Sequence, residues 1–246
     1  LKKESITRAL IIAAGRGLRL NEHSQEIPKS LITVGDRSII ETILATLRRA
    51  DIEEVVIVTG YKHEVMMQRL GDRSQYGMRL RYVFNPEWQK KNGVSVYAAR
   101  DCFSADEQFL LMMSDHLFEP ELLATLMSVP LQAGEIALAV DRRVASIFDI
   151  EDAMKIVFDG THIRRIGKTL QEYNGIDCGL FKCTAGIFDA LAAAMSNNPE
   201  HDAGLADGCH QLIALNKMRG VDIGEAFWID IDTPEALRYA INKLKI

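Results

Sequence analysis

The chain has 246 residues, 48% hydrophobic and 26% charged, with 2 Trp, 6 Tyr and 9 Phe. That composition supplies a core and excludes a disordered, collagen-like or low-complexity chain. A net charge of −5 argues against a nucleic-acid grip built on general basicity, while leaving room for a small anion held by a few well-placed cations.

The N-terminal LKKESITR leads directly into an apolar run, without the longer apolar region and cleavage site of a secretion signal. A first residue other than Met fits a trimmed chain or one cut from something longer. Residues 9–13 (ALIIA) and 54–59 (EVVIVT) read as buried strands. Between them Ser38 and Glu41 form an S-x-x-E capping box ahead of Ile39, Ile40, Ile43, Leu44 and Leu47, one stripe of a helix. Strand, helix and strand within about fifty residues make a βαβ unit, and so a parallel sheet with a right-handed crossover. The alternation continues with a helix at 62–70, a strand at 80–84, a helix at 94–102, a strand at 109–113, a helix at 121–127 and a strand at 136–140.

After Asp141 the runs at 155–158, 163–166 and 178–181, separated by Asp159-Gly160 and Asn174-Gly175, predict an antiparallel region inserted or appended near the end of the parallel sheet. Helices follow at 187–195 and 205–215, then a strand at 226–231 and a helix opening at Thr233-Pro234, with Pro in its first turn. No linker or repeat divides the chain, which reads as one domain. No run approaches the roughly 20 apolar residues that cross a bilayer. Cys102, Cys178, Cys183 and Cys209 show no CxxC and no His pair at ligand spacing. They are expected as buried free thiols in a reducing compartment, and the protein as cytoplasmic.

The first strand ends in Ala13-Ala14-Gly15-Arg16-Gly17-Leu18-Arg19-Leu20. A glycine-rich turn at the carboxyl end of a first parallel strand lies where such sheets bind ligands. Glycine lets the backbone approach a phosphate with its N–H groups turned inward. Leu20 stands where the dinucleotide fingerprint needs a third small residue, and no Gly-Lys-Ser/Thr occurs. Neither of those motifs is indicated, and an ordinary tight turn remains open on Gly-x-Gly alone.

Arg19 is followed ten positions later by Lys29, within Ile27-Pro28-Lys29-Ser30-Leu31. Together LIIAAGRGLRL and PKSLITVGDRSIIE resemble the N-terminus of the nucleoside-triphosphate transferase family, which makes NDP-sugars and NDP-alcohols. The loop 21–26 departs from the family's usual Pro-Leu-Thr. The resemblance implies a single Rossmann-like, three-layer α/β domain with a mainly parallel sheet and a smaller antiparallel acceptor-binding region. Its nucleotide-binding half would cover about residues 1–141 and the acceptor-binding region about 142–246. It further implies that Ala13, Ala14, Gly15 and Gly17 cradle the triphosphate while Arg19 and Lys29 neutralise it. A phosphate monoester attacks the α-phosphorus and pyrophosphate leaves, so crowded anionic oxygens must be offset by cations.

Asp115, closing the apolar run FLLMMSDH, matches the family's Mg²⁺ ligand and joins Arg19 and Lys29 as the implied catalytic set. On its own it also reads as a cap for the helix near Pro120. Asp232, in FWIDIDTP, matches the second metal carboxylate, and on its own reads as the N-cap of the last helix. Asp230 is the weaker metal candidate, because alternation does not settle its direction. On the acceptor side, Lys168 resembles the lysine that holds the acceptor's phosphate. Tyr173, Asp177 and Gly179 fall in the turn and strand that contact its hydroxyls. Asn92, in NPEWQKKNGVS, is the polar candidate for the nucleotide pocket; Lys155 reads equally as facing the site or as a surface strand lysine.

SDH, DxxDAMK, GKxLxxYNxIDxGxF and DIGxxFWIDIDTPE together resemble the CTP:inositol-1-phosphate cytidylyltransferases, some of which continue into a membrane-embedded second domain. This implies CTP and inositol-1-phosphate as substrates, Mg²⁺ as cofactor, no nucleic-acid partner, and a functional link to a membrane phosphatidyltransferase-type enzyme. A phosphocholine cytidylyltransferase would need an aromatic cage, and Trp88, Tyr97, Tyr173 and Trp228 are scattered along the chain. A hexose-1-phosphate nucleotidyltransferase comes third. Outside enzymes stands a regulatory nucleotide-binding module, which has no need of paired metal carboxylates.

Overall fold

The structure, a computed structural model, describes residues 6–17, 27–71 and 76–244. Its strands are β1 (Arg8–Ala13), β2 (Thr33–Val34), β3 (Arg37–Ser38), β4 (Glu54–Thr59), β5 (Arg79–Phe84), β6 (Phe109–Met113), β7 (His116–Phe118), β8 (Ile136–Asp141), β9 (Lys155–Phe158), β10 (Ile163–Gly167), β11 (Gly175–Cys183), β12 (Met218–Asp222) and β13 (Trp228–Asp230). Its helices are α1 (Ile39–Arg49), α2 (His63–Leu70), α3 (Asn92–Ala98), α4 (Pro120–Ser128), α5 (Gly186–Ser196), α6 (Leu205–Ala214) and α7 (Pro234–Leu244).

β1 is apolar on both faces, which places it inside a sheet. It pairs in parallel with β4 and β6, and β4 pairs in parallel with β5. Its side chains alternate between two cores. Ala9, Ile11 and Ala13 join the stripe of α1 with residues of α2, α4 and α7; Leu10 and Ile12 join residues of α3, α5 and α6. The result is the three-layer, Rossmann-like arrangement, with helices on both faces of a mainly parallel sheet. The capping box of α1 is present: Ser38 Oγ accepts the Glu41 N–H and Glu41 Oε2 accepts the Ser38 N–H.

The antiparallel part differs from its expected place. β11 runs antiparallel between β6 and β8, in the interior of the sheet rather than near its end. The β9–β10 hairpin joins only the start of β11, through Gly175 and Ile176. Asn174 extends that pairing with its side chain, accepting the Phe158 N–H and donating to the Phe158 carbonyl. Sequence analysis missed β12, whose MRGVD has no apolar run; its parallel register with β8 defines it. The run predicted at 226–231 is the short β13, and it pairs with β7 outside the main sheet.

Cys178, Cys183 and Cys209 are buried and Cys102 is half-buried, all as free thiols, and burial pushes each thiol up. No helix among the described residues is long and apolar enough to cross a membrane. Leu44, on the inward stripe of α1, is fully buried. Leu44→Ala should therefore destabilise the fold by about 2–5 kcal/mol, measured by denaturant unfolding.

Candidate active site

Because β1 and β6 are parallel neighbours, their carboxyl ends open on one edge of the sheet. After β1 the chain turns through Gly15 and Gly17. A Cβ on Gly15 would meet nothing within 4 Å, so the turn presents bare backbone. Gly17 has a φ of +66°, and a Cβ there would lie 2.3 Å from Lys29 Cβ, so only glycine lets the loop pass against Lys29. Ala13 and Ala14 are buried behind the turn, and the Ala14 carbonyl accepts the Tyr61 N–H at 2.9 Å. Arg19 lies outside the described residues.

Lys29 is 8% exposed, and its ammonium is the centre of the site. It donates to Asp115 Oδ2 at 2.7 Å, pairs closely with Asp232 Oδ1, and lies 3.6 Å from Asp230 Oδ1. Asp115 is delivered by the end of β6. Asp230 is delivered by β13, whose register against β7 sets it directly opposite His116. The Asp115 carbonyl accepts the Ile231 N–H at 2.9 Å, which extends that ribbon to the next residue. Asp232 faces Lys29, and the capping of α7 falls to Thr233, whose Oγ1 accepts the Ala236 N–H at 3.1 Å. Neither carboxylate is the cap that its sequence also allowed, since the N-cap of α4 is Glu119.

Three carboxylates around one ammonium leave the cluster short of positive charge. Burial works against Lys29, but Asp115, Asp230 and Asp232 raise it well above the ordinary lysine range. Burial also opposes the Asp115 charge, yet Lys29 and His116 hold it well below the usual carboxylate range. His116 Nδ1 sits 2.8 Å from Asp115 Oδ1; against its burial, Asp230 and Asp115 push it up to about 9. Asp230 goes the other way, pushed up by burial and by its acidic neighbours. Its Oδ1 is buried and accepts no hydrogen bond. Ligand atoms of Asp115, His116 and Asp230 all lie within 4.8 Å of one another, a span that one metal ion can bridge. The orphaned oxygen and the hard carboxylate donors fit a divalent ion of the Mg²⁺ type.

Asp115, His116, Asp230 and Asp232 line a cavity of about 810 Å³. Asn92, Lys168, Asp177 and Gly179 also line it. Asn92 Oδ1 accepts the Leu205 N–H at 2.8 Å, so this side chain holds the start of α6 as it borders the cavity. Lys168 Nζ pairs with Asp152 at 2.5 Å across the cavity rim. Asp177 Oδ1 accepts the Gly179 N–H at 2.7 Å, and burial pushes its carboxyl up to about 6. Gly179 has a φ of +70°, and a Cβ there would meet His116 Cδ2 at 2.5 Å. Tyr173 is not among the cavity's lining residues. Its ring lies 5.7 Å from the Lys155 ammonium, which is buried and donates to the carbonyls of Lys168, Glu151 and Ala153.

Trp88, Tyr97, Tyr173 and Trp228 do not converge. Trp88 packs on Tyr61, Tyr97 lies under Arg100, and Trp228 stacks on His116. A different set meets at the cavity mouth: Phe148 stacks on Tyr239, which tilts against Phe227. Sequence analysis gave no role to His116 and ranked Asp230 below Asp232. The signal was present in the SDH and WID strings, but it becomes legible only once β7 and β13 are known to pair.

Residues 9–148 match the family model of the MobA-like NTP transferase domain. A bifunctional IPC transferase and DIPP synthase of Rubrobacter xylanophilus is 33% identical over 236 residues, 94% of this chain and 50% of that protein. A CMP-5'-(3-aminopropyl)phosphonate synthase of Streptomyces rubellomurinus is 28% identical, over 95% of this chain and 38% of its own length. The chain spans about half the length of the bifunctional relatives it matches. In fold it resembles the inositol-1-phosphate CTP transferase of T. maritima, with a TM-score of 0.83, 23% identity, and coverage of 98% of this chain and 95% of that one. With its glycine turn, Lys29 and strand-end carboxylates on one sheet edge, and with more than half its length matched, the chain belongs to the MobA-like NTP transferase family of nucleotidyltransferases.

Proposed function

We propose that the protein transfers a cytidylyl group from CTP to inositol-1-phosphate, giving CDP-inositol and pyrophosphate. The observation that carries the reading is the convergence of Asp115, Asp230 and Asp232 on Lys29 beside a cavity that Lys168 and Asp177 also line. An oxygen of the acceptor phosphate attacks the α-phosphorus, and the bond to the pyrophosphate oxygen breaks. Backbone N–H groups of the Ala13, Ala14, Gly15 and Gly17 turn bind the triphosphate, and Lys29 with Arg19 balances its charge. Lys29 then exchanges a carboxylate for a phosphate oxygen. Asp115 and Asp230, with Asp232 beside them, would hold Mg²⁺, which when bound neutralises phosphate oxygens that repel one another. Lys168 takes the acceptor's phosphate, while Asp177 and the Gly179 turn face its hydroxyls.

This division assigns residues 1–141 mainly to the nucleotide and 142–246 mainly to the acceptor. The names of the bifunctional and CTP-transferase relatives support the choice of substrates. We further propose a functional link to a phosphatidyltransferase-type enzyme, with the reaction itself in the cytoplasm. One observation favours a second reading, an aminoalkyl phosphate or phosphonate acceptor. The Phe148, Tyr239 and Phe227 rings meet at the mouth beside Asp149 and Glu225, a setting suited to an organic cation, and the Streptomyces relative is named for an aminopropyl product.

Pyrophosphate release measured across the four NTPs, crossed with inositol-1-phosphate, phosphocholine, an aminoalkylphosphonate and hexose-1-phosphates, separates these readings. CTP with inositol-1-phosphate should exceed every other pair; efficient CDP-choline or CMP-phosphonate formation without CDP-inositol overturns the acceptor.

Lys29→Ala and Asp115→Asn should each lower turnover by about a hundredfold or more, the scale for removing one preorganised charge. Asp230→Asn should be at least as damaging as Asp232→Asn. The reverse order would return the second metal position to Asp232.

Asp177 supplies a test of stability against pH. Its carboxyl is raised in the folded protein, to about 6, so its charge is a net cost above that pH and is relieved as the group protonates below it. Asp177→Asn keeps an oxygen for the Gly179 N–H. It should stabilise the fold by on the order of 1–3 kcal/mol at pH 8 and change little near pH 4, by denaturant unfolding. The same variant should narrow the preference for inositol-1-phosphate.

A further inference from the structure

Strand β8 is apolar and buried until Asp141, which is itself 2% exposed. Packing of a buried strand has no need of a charge there, and a buried ion pair carries a desolvation cost that an apolar residue avoids. Asp141 is nevertheless fully engaged. Arg143 meets its Oδ1 through the backbone N–H at 2.8 Å and Nε at 3.0 Å, and its Oδ2 through Nη2 at 2.8 Å. The Trp228 indole N–H donates to the same Oδ2 at 2.9 Å. Arg143 also donates to the Ala226 carbonyl at 2.7 Å, tying the approach to β13 to this point.

From Trp228 the contacts run on toward the acidic cluster. Its ring stacks on His116, with centroids 5.8 Å apart and planes 12° from parallel. The Cδ2 edge of His116 is walled by Gly179, which leaves no room even for a Cβ. Held on a face and an edge, the imidazole presents Nδ1 to Asp115 Oδ1. Among the described residues the two short strands β7 and β13, which carry His116 and Asp230, pair only with each other, and this chain of contacts ties them to β8 of the main sheet.

We propose that Asp141 is a positioning residue for the divalent ion: by fixing the Trp228 indole it fixes the His116 ring, and through that ring the Asp115 carboxylate. The proposal rests on the reading of Asp115 and Asp230 as the holders of that ion. Asp141 borders the cavity, but its own hydrogen bonds go to Arg143 and Trp228, and it reaches Asp115 through two intervening aromatic rings. Groups that orient a metal's ligands from behind commonly matter tenfold to a hundredfold for affinity.

Calorimetric titration of the nucleotide-free protein with Mn²⁺, used as a stand-in for Mg²⁺, tests this without reference to activity. Asp141→Asn should weaken Mn²⁺ binding about tenfold or more. Trp228→Phe keeps a ring to stack on His116 but has no N–H for Asp141. It should weaken binding by a smaller factor, and the double variant should be no weaker than Asp141→Asn alone, since both changes break one chain of contacts. In turnover assays both single variants should recover to within about twofold of wild type when Mg²⁺ is raised, which a merely structural defect would not do. Unchanged Mn²⁺ affinity in both variants overturns the positioning role while leaving the metal reading intact. A wild-type protein that binds no Mn²⁺ overturns both. If Asp141→Asn fails to fold, Trp228→Phe carries the same comparison alone.

Discussion

The Lys29 ammonium is shared by carboxylates from two distant parts of the chain, and the order of the whole carboxyl edge depends on that sharing. Asp115 arrives at the end of a buried strand; Asp230 and Asp232 arrive from a short ribbon that the main sheet does not hold. Without a cation among them these acids would repel one another at close range, in surroundings only partly open to water. One lysine cannot balance three carboxylates. The remaining deficit appears as a histidine that keeps its proton and as a carboxyl, Asp230, that resists losing its own. The cluster therefore draws in more positive charge than Lys29 alone supplies, an electrostatic setting that suits a divalent cation.

A second buried lysine works in the opposite sense. Lys155 is surrounded by neutral oxygens, those of Glu151, Ala153 and Lys168, and by the Tyr173 ring. Its charge gathers two backbone segments into the wall that carries Lys168 and Asp152. Lys29 thus gathers acidic side chains, whereas Lys155 gathers backbone carbonyls. This contrast accounts for the position of Tyr173, which supports the wall from behind and leaves the cavity to Lys168, Asp177 and Gly179.

Much of this was legible in the sequence where one strand or helix carries the information. The α1 capping box, the apolar runs of β1, β4 and β6, and the glycine turn are local patterns, and each holds in three dimensions. The unreadable parts are those where meaning comes from a partner strand. MRGVD becomes β12 only beside β8, and WID becomes β13 only beside HLF. Asp230 could not be aimed from alternation alone, because three residues of strand do not define a face until the pairing is known. The interior place of β11 was hidden for a similar reason: order in a sheet is a property of crossovers, and runs of apolar residues are silent about it. The aromatic rings make the same point, since those that meet at the mouth are not the ones that stand out in the sequence.

The pairing of Lys29 with Asp232 spans 203 residues of chain. A chain emerging from the ribosome can therefore lay down β1, α1, β4 and β6 and still lack two of the three carboxylates of the cluster until β13 and the residues after it are released. Until then Lys29 and Asp115 face each other with neither Asp230 nor Asp232 in reach. Long-range closure of this kind is slow, because so much entropy is lost before the contacts form. A polypeptide cut before β13 cannot bring Asp230 and Asp232 to Lys29, so the three-carboxylate cluster forms only once residue 232 is in place.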